Sequence, residues 1–212
     1  MKVVGVLHGK GGVGKSTLSV NIARAAQLRG LRVAVADGDA QSTAASWRAS
    51  RSGEEELPTV APVPAASDLQ AVLRRLSDVH DVTIVDGGAH LDKMHASIIK
   101  ASDLVLVPVQ PSPTDIWASE EIVRLIEKRQ EVTGCPEAAF VVSRRKAGTK
   151  LGESVTDVLS RFNTDVWDGT CDRVVYAEAM GQGKAVVETG DKKAAAEIEA
   201  LTDNVINALR YD

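Results

Sequence analysis

Short apolar runs alternate with amphipathic segments along most of the chain. Apolar residues occupy consecutive positions, as in strands buried on both faces of a sheet, within the segments 2–7, 32–36, 81–88, 102–113 and 138–145. Apolar residues recur every three or four positions, as on one face of a helix, in the segments 15–29, 68–78, 113–131, 151–162, 174–180 and 194–209. This alternation predicts an α/β fold with a doubly wound, mostly parallel sheet flanked by helices.

Two further segments complete the outline. Residues 51–66 contain three prolines and an acidic run, which indicates a surface excursion with an edge strand, and residues 164–167 indicate one more short strand. At a length of 212 residues, with the first strand starting at Lys2, we expect a single domain over 1–212 without an N-terminal helix-turn-helix domain.

Composition and charge narrow the function classes. Aromatic residues make up 3% of the chain and hydrophobic residues 44%, so the core is expected to consist of Val, Ile, Leu and Ala, which suits a parallel sheet. The net charge of −4 argues against a constitutively basic nucleic-acid binder, although a local basic patch can still form. Cys135 and Cys171 do not have metal-ligand spacing, and no run indicates a signal peptide or a membrane span, so we expect a soluble, cytoplasmic protein.

The glycine-rich stretch HGKGGVGKST, residues 8–17, separates the first strand from the first helix. It contains the pattern G-x-x-x-x-G-K-[ST] of a phosphate-binding loop, in which backbone N–H groups and the helix N-terminus surround phosphate oxygens. Lys15 is expected to reach the β- and γ-phosphates and Ser16 to bind Mg²⁺. We predict that the nucleotide contacts Gly9, Lys10, Gly11, Gly12, Val13, Gly14, Lys15, Ser16 and Thr17. The pattern requires only one lysine, however, and leaves Lys10 unexplained.

Three carboxylates follow two other apolar strands. Asp86 ends the run VTIVD, as a Walker B acid does, and Asp37 and Asp39 follow the run RVAVA. The carboxyl ends of strands face the ligand crevice of an open α/β sheet, so we expect all three carboxylates at one phosphate–metal site. Asp-Gly-Asp is also a favourable turn sequence, and this remains the alternative for Asp37 and Asp39.

Together these motifs resemble the ParA/MinD ATPases. KGGVGKST resembles the deviant Walker A box of that family, VADGDAQS its D-x-D-P-Q stretch, TIVDGG its Walker B strand, and DLVLVPVQPSPTD the strand and loop that follow. The resemblance spans nearly the whole chain, is weakest over 50–66, and is greatest for the short, ParF-like partition ATPases. The sequence departs from the family pattern at Ala40, in place of proline, and at Gly87-Gly88-Ala89, in place of TPP.

The resemblance implies a catalytic role for three residues. Lys10 corresponds to the signature lysine, which crosses a dimer interface to the phosphates bound by the other subunit. Lys15 corresponds to the ordinary lysine of the phosphate-binding loop. Asp39 corresponds to the acid that positions or activates the attacking water.

The resemblance also implies metal and nucleoside contacts. Ser16 corresponds to the direct Mg²⁺ ligand, and Asp37 and Asp86 to acids that hold the metal through water. Pro111 and Arg144 fall where family members contact adenine or the facing subunit.

The function implied by the resemblance is an ATPase that acts as a dimerisation switch. ATP favours the homodimer, the homodimer binds DNA of the nucleoid without sequence preference, and a ParB-like or small centromere-binding protein stimulates hydrolysis. Such a switch positions a plasmid, a chromosome or a protein cargo. The acid-rich C-terminal segment argues against a membrane partner. The alternatives are a MinD-like positioning ATPase and a metabolic P-loop enzyme that acts on a small molecule.

Candidate DNA contacts are basic residues in the last third of the chain. They are Arg144, Arg145, Lys146, Lys150, Arg173, Lys184, Lys192 and Lys193. Two interpretations remain open: a solvated surface, or a stripe that is doubled across a two-fold axis and neutralises several phosphates.

Overall fold

The computed structural model describes residues 1–53, 56–89, 93–146 and 148–209. The strands are β1 (Lys2–Val6), β2 (Val33–Gly38), β3 (Thr59–Pro62), β4 (Val82–Gly87), β5 (Leu104–Val109), β6 (Glu137–Val142) and β7 (Asp165–Asp168). They form one seven-stranded sheet in the order β3-β2-β4-β1-β5-β6-β7, and every neighbouring pair is parallel. The predicted doubly wound sheet is thereby confirmed, with an edge strand inside the proline-rich stretch.

The helices lie on both faces of this sheet. They are α1 (Lys15–Leu28), α2 (Thr43–Ala49), α3 (Leu69–Ser77), α4 (Lys93–Ala101), α5 (Pro113–Thr133), α6 (Lys150–Leu159), α7 (Val174–Gly181) and α8 (Lys192–Ala208), with a short 3-10 turn at Val186–Glu188. The sequence pattern did not indicate α2 or α4. Helix α2 buries only Ala44 and Trp47, which is too few apolar positions to show a helical period. Within the described ranges, no helix is long and apolar enough to cross a membrane.

Two apolar layers hold the sheet between the helices. Helices α1, α2, α7 and α8 cover one face, and α3, α4, α5 and α6 cover the other. Successive residues of a strand point to opposite layers, so that Val4 and Val6 belong to the first layer and Val3 belongs to the second. This two-sided burial explains why the strands are apolar at consecutive positions.

The register of the central strands brings the predicted site residues together at the carboxyl ends of these strands. Strand β1 lies between β4 and β5, and Val6 at its carboxyl end pairs with Asp86. Asp86 also pairs with Asp37 on β2. The glycine-rich loop therefore leaves β1 beside Asp86 on the adjacent strand, with Asp37 one strand further along the sheet.

Candidate nucleotide-binding site

The glycine-rich loop turns from β1 into α1 through left-handed backbone positions. Gly12 has a φ of 80° and Gly14, the N-cap of α1, a φ of 99°. A Cβ on Gly14 would lie 2.8 Å from the hydroxyl of Ser143, so this position requires glycine for two independent reasons. The loop residues Gly11, Gly12, Gly14, Lys15, Ser16 and Thr17 line one end of a cavity of about 670 Å³. A helix N-terminus behind such a loop suits a phosphate group.

The two lysines of the loop point to different surroundings. Lys15 is buried and lines the cavity, where its Nζ donates a hydrogen bond to the carbonyl of Lys10 at 2.9 Å. Burial lowers the pKa of Lys15, and the charges of Asp86 and Asp39 oppose this. Lys10 is not among the described residues that line the cavity, and its Nζ lies 2.6 Å from Oδ1 of Asp115 on α5. Its side chain is 48% exposed. Of the two lysines, Lys15 is the one that lines the cavity of its own chain, and its contact with a phosphate stays a prediction.

Asp86 has the environment expected of a group that binds a cation. Its side chain is completely buried, Oδ1 accepts a hydrogen bond from Ser19 Oγ at 3.2 Å, and Oδ2 has no hydrogen-bond partner within the described part of the chain. Burial raises the pKa of Asp86 to about 7, an effect that nearby Asp37 reinforces and that Ser16, Ser19 and Lys15 oppose. A buried carboxylate oxygen without a partner, close to the hydroxyl of Ser16, fits Mg²⁺, which prefers oxygen ligands.

A magnesium ion at this position needs ligands beyond the protein. No cluster of three or more His, Cys, Asp or Glu side chains suited to a metal occurs among the described residues. Mg²⁺ usually keeps several waters and binds one or two carboxylates together with substrate phosphates. The arrangement therefore matches a metal that is bound together with a nucleotide.

Asp37 and Asp39 shape the turn that follows β2. Asp37 is buried, and its two oxygens accept hydrogen bonds from the backbone N–H groups of Asp39 and Ala45, each at 3.2 Å. Burial raises the pKa of Asp37, and these backbone hydrogen bonds oppose that effect. Asp39 lines the cavity, and its Oδ1 accepts from the N–H of Gln41 at 3.0 Å. These contacts are those of a turn, and the roles of Asp37 toward Mg²⁺ and of Asp39 toward water stay predictions.

Arg144 follows β6 and Pro111 follows β5, and they differ in their position relative to the cavity. Arg144 lines the cavity with a left-handed φ of 52°, and its guanidinium lies 3.2 Å from the Asp172 carboxylate. Pro111 is not among the described lining residues, so its predicted contact with adenine or the facing subunit stays a prediction. Its neighbour Gln110 donates from Nε2 to the carbonyl of Gly12 at 2.8 Å. The loop after β5 thus supports the glycine-rich loop.

Sequence reasoning missed most of the far end of the cavity. Its lining residues follow β6 and β7: Ser143, Thr170, Cys171, Asp172, Arg173, Tyr176 and Ala177. Glu197 on α8 organises them, because it binds the Arg173 guanidinium at 2.7 Å and accepts from the Tyr176 hydroxyl at 2.9 Å. These residues follow the carboxyl ends of strands, and that position was the signal available in the sequence.

The departure at Gly87 from the family pattern has a packing cause. Gly87 is buried at the end of β4, and a Cβ there would overlap the side chain of Leu7 and lie 3.1 Å from the carbonyl of Val6. Any larger residue would push β4 away from the start of the glycine-rich loop. Glycine at this position therefore fits the close contact with β1.

The predicted DNA contacts are partly neutralised within the chain. Arg144 pairs with Asp172, Arg145 with Asp168 at 2.9 Å, and Arg173 with Glu197. The exposed lysines of the group are Lys146, Lys192 and Lys193, whereas Lys184 is half-buried. The side chain of Lys150 lies outside the described part of the structure. A single chain therefore presents less free positive charge than the sequence suggests.

Comparisons with known proteins identify a nucleotide-binding family. The model of the CobQ/CobB/MinD/ParA nucleotide binding domain matches residues 4–187. The maintenance of carboxysome distribution protein A of Halothiobacillus neapolitanus is 30% identical over 203 residues, which are 93% of each protein. The ATP complex of a Cyanothece McdA variant superimposes with a TM-score of 0.78 at 19% identity, covering 100% of this chain and 97% of the other.

A third protein, with the same fold, is a synthase. Cobyrinic acid a,c-diamide synthase from Mycobacterium smegmatis, solved with an ATP analogue and magnesium, gives a TM-score of 0.77 at 19% identity, covering 99% of this chain and 96% of the other. ATP and magnesium, the predicted cofactors, agree with the ligands of these two solved structures.

Proposed function

Because the chain belongs to the CobQ/CobB/MinD/ParA nucleotide-binding family, we propose that it is an ATPase that works as a pair, in which Lys10 of each chain reaches the nucleotide held by the other. The observation that carries this proposal is the opposite placement of the two loop lysines. Lys15 lines its own cavity, whereas Lys10 lies outside it with an exposed side chain. A second chain that faces the loop gives Lys10 a phosphate to bind.

The remaining residues divide the work of hydrolysis in this proposal. Ser16 and Asp86, with Asp37 through water, would hold Mg²⁺, which would supply charge neutralisation at the phosphates. Lys15 binds phosphate oxygens, and Asp39 on the adjoining turn orients the attacking water. Gln110 keeps the loop in place through the carbonyl of Gly12.

A positioning role for this ATPase is supported by the 30% identical relative, which is named for the distribution of carboxysomes. We expect the ATP-bound pair to bind DNA of the nucleoid without sequence preference and a ParB-like or small partner to stimulate hydrolysis. The cargo is a plasmid, a chromosome or a protein assembly. Since Arg144, Arg145 and Arg173 already face acids, Lys146, Lys192 and Lys193 are the first candidates for contact with DNA phosphates.

Two measurements test this function. The first compares ATP turnover by the wild type and Lys10→Ala, each with and without double-stranded DNA. We expect slow turnover that DNA stimulates in the wild type alone. The second measures retention on DNA as the salt concentration is raised from about 50 to 200 mM, where binding through several phosphates weakens steeply. Equal retention with ADP and ATP would contradict a switch.

The metabolic alternative predicts different kinetics. A synthetase with this fold turns over ATP in proportion to a small acceptor molecule and is independent of DNA. Cobyrinic acid a,c-diamide synthase is 19% identical, and at this identity the similarity shows a common fold but not a common activity. Turnover that is unaffected by DNA and by Lys10→Ala would favour that alternative.

A further inference from the structure

Lys10 has a specific partner in its own chain. Its Nζ donates to Oδ1 of Asp115 at 2.6 Å and to Oγ1 of Thr114 at 3.2 Å, both in the first turn of α5. The Asp115 side chain is only 3% exposed, whereas that of Lys10 is 48% exposed. A nearly buried carboxylate therefore has an ion-pair partner that approaches from the solvent side and is free to leave on that side.

A buried histidine fixes the two ends of this ion pair. The N–H of Lys10 donates to Nδ1 of His8 at 3.0 Å, so the Nε2–H of the same ring donates to the Asp115 carbonyl at 3.2 Å. His8 is fully buried, and burial lowers its pKa, which favours the neutral ring that this bonding pattern requires. The backbones of Lys10 and Asp115 are thus held by one imidazole. The ion pair is part of a preformed arrangement.

The same amine cannot serve Asp115 and a second chain at once. Resting on the proposed function, in which Lys10 crosses to the facing subunit, we infer that Asp115 is a latch that holds Lys10 within its own chain and sets the ATP-dependent threshold for dimerisation. Asp115 acts through Lys10 and is a positioning residue. Thr114 strengthens the latch with its second hydrogen bond.

Nucleotide binding in the same chain is connected to the latch through Lys15. The Lys15 amine donates to the Lys10 carbonyl at 2.9 Å. When that amine turns toward a phosphate, the Lys10 backbone loses this contact while the hydrogen bond to His8 remains. Filling of the cavity thus reaches the backbone of Lys10, and we expect the latch to open more readily in an occupied chain, which favours pairing of two occupied chains.

The size of the effect follows from the two-fold symmetry of the pair. A dimer forms only when the Lys10–Asp115 ion pair opens in both chains. The free energy of opening one ion pair therefore contributes twice to the dimer dissociation constant. An ion pair with one exposed partner makes only a modest contribution, so roughly a threefold change per chain is expected. Removing the carboxylate charge should then tighten the dimer about tenfold.

The test is sedimentation of the full chain with Mg²⁺ and a non-hydrolysable ATP analogue. We expect Asp115→Asn to lower the dimer dissociation constant about tenfold and to leave the ADP form monomeric. Glu120→Gln is the matched control, since it removes a carboxylate of the same helix that faces Arg124 at 4.0 Å. Its dimer should be unchanged. On a Lys10→Ala background, Asp115→Asn should have no effect on assembly.

The outcomes separate the latch from the function on which it rests. If the wild type dimerises through Lys10 but Asp115→Asn dimerises equally or more weakly, the latch is wrong while the proposed function stands. If Lys10→Ala dimerises as the wild type does, the proposed function fails and the latch fails with it. Should Asp115→Asn not fold, the exposed variant Thr114→Val replaces it, with an expected tightening of about twofold. No tightening by Thr114→Val would then overturn the latch.

Discussion

The buried carboxylate of Asp86 should make the protein less stable as the pH rises. Burial raises its pKa from 3.8 to about 7. Between these two values the folded chain binds a proton that the unfolded chain has released, so stability falls as the pH rises from about 4 to 7. Replacing Asp86 by asparagine removes the charge that burial penalises. The variant should therefore be more stable than the wild type at alkaline pH.

The magnitude follows from the same pKa difference. At 1.36 kcal/mol per pKa unit, the ionised carboxylate costs up to about 4 kcal/mol above pH 7. The gain in Asp86→Asn should be smaller, about 2 kcal/mol, because the amide nitrogen replaces an oxygen that has no partner in the described surroundings. For a chain of this length, about 2 kcal/mol corresponds to a rise in Tm of about 4 to 8 °C.

Thermal unfolding in EDTA at pH 5 and pH 8 tests this reasoning. We expect Asp86→Asn to exceed the wild type at pH 8 and to match it closely at pH 5, whereas the exposed control Asp203→Asn should show no such pH-dependent gain. Added Mg²⁺ and ATP should raise the Tm of the wild type more than that of Asp86→Asn, since only the carboxylate attracts the metal strongly. A variant that is less stable than the wild type at pH 8 would refute the account of Asp86.

Two other substitutions test the glycine-rich loop and an ion-pair cluster around Glu188. Gly14→Ala should lose nucleotide binding and about 1 to 3 kcal/mol of stability, because its φ is left-handed and its Cβ would crowd Ser143; nucleotide titration and denaturant unfolding measure both. Glu188→Gln should cost about 3 to 5 kcal/mol in denaturant unfolding, since Glu188 pairs with the nearly buried Arg24 and Arg51 at 2.8 and 2.9 Å. A loss below about 1 kcal/mol would show that these two arginines do not depend on Glu188.

The sheet could be predicted because its residues repeat a simple pattern. Strand β5 is apolar at every position, and only burial on both faces requires this. The loop could be predicted because Gly14, Lys15 and Ser16 must be close in sequence to surround one phosphate. Helix α2 could not, since a short helix with only Ala44 and Trp47 inward has no period to detect.

Contacts between distant segments were beyond the sequence pattern. Lys10 and Asp115 are separated by 105 positions, and nothing local in either segment indicates that they pair. The lining of the far end of the cavity likewise depends on Glu197 of α8, which contacts Cys171 after β7 and Tyr176 on α7. The sequence indicated the loop that is proposed to bind phosphate, and the fold was needed to find its contacts with distant segments.

The central claim is that two chains pair through Lys10 when ATP is bound. It is tested most directly by sizing the wild type and Lys10→Ala at several protein concentrations with Mg²⁺ and either ATP or ADP. The account predicts a wild-type dimer with ATP, a monomer with ADP, and a monomer of Lys10→Ala with either nucleotide. A Lys10→Ala chain that binds ATP and dimerises as strongly as the wild type would contradict it.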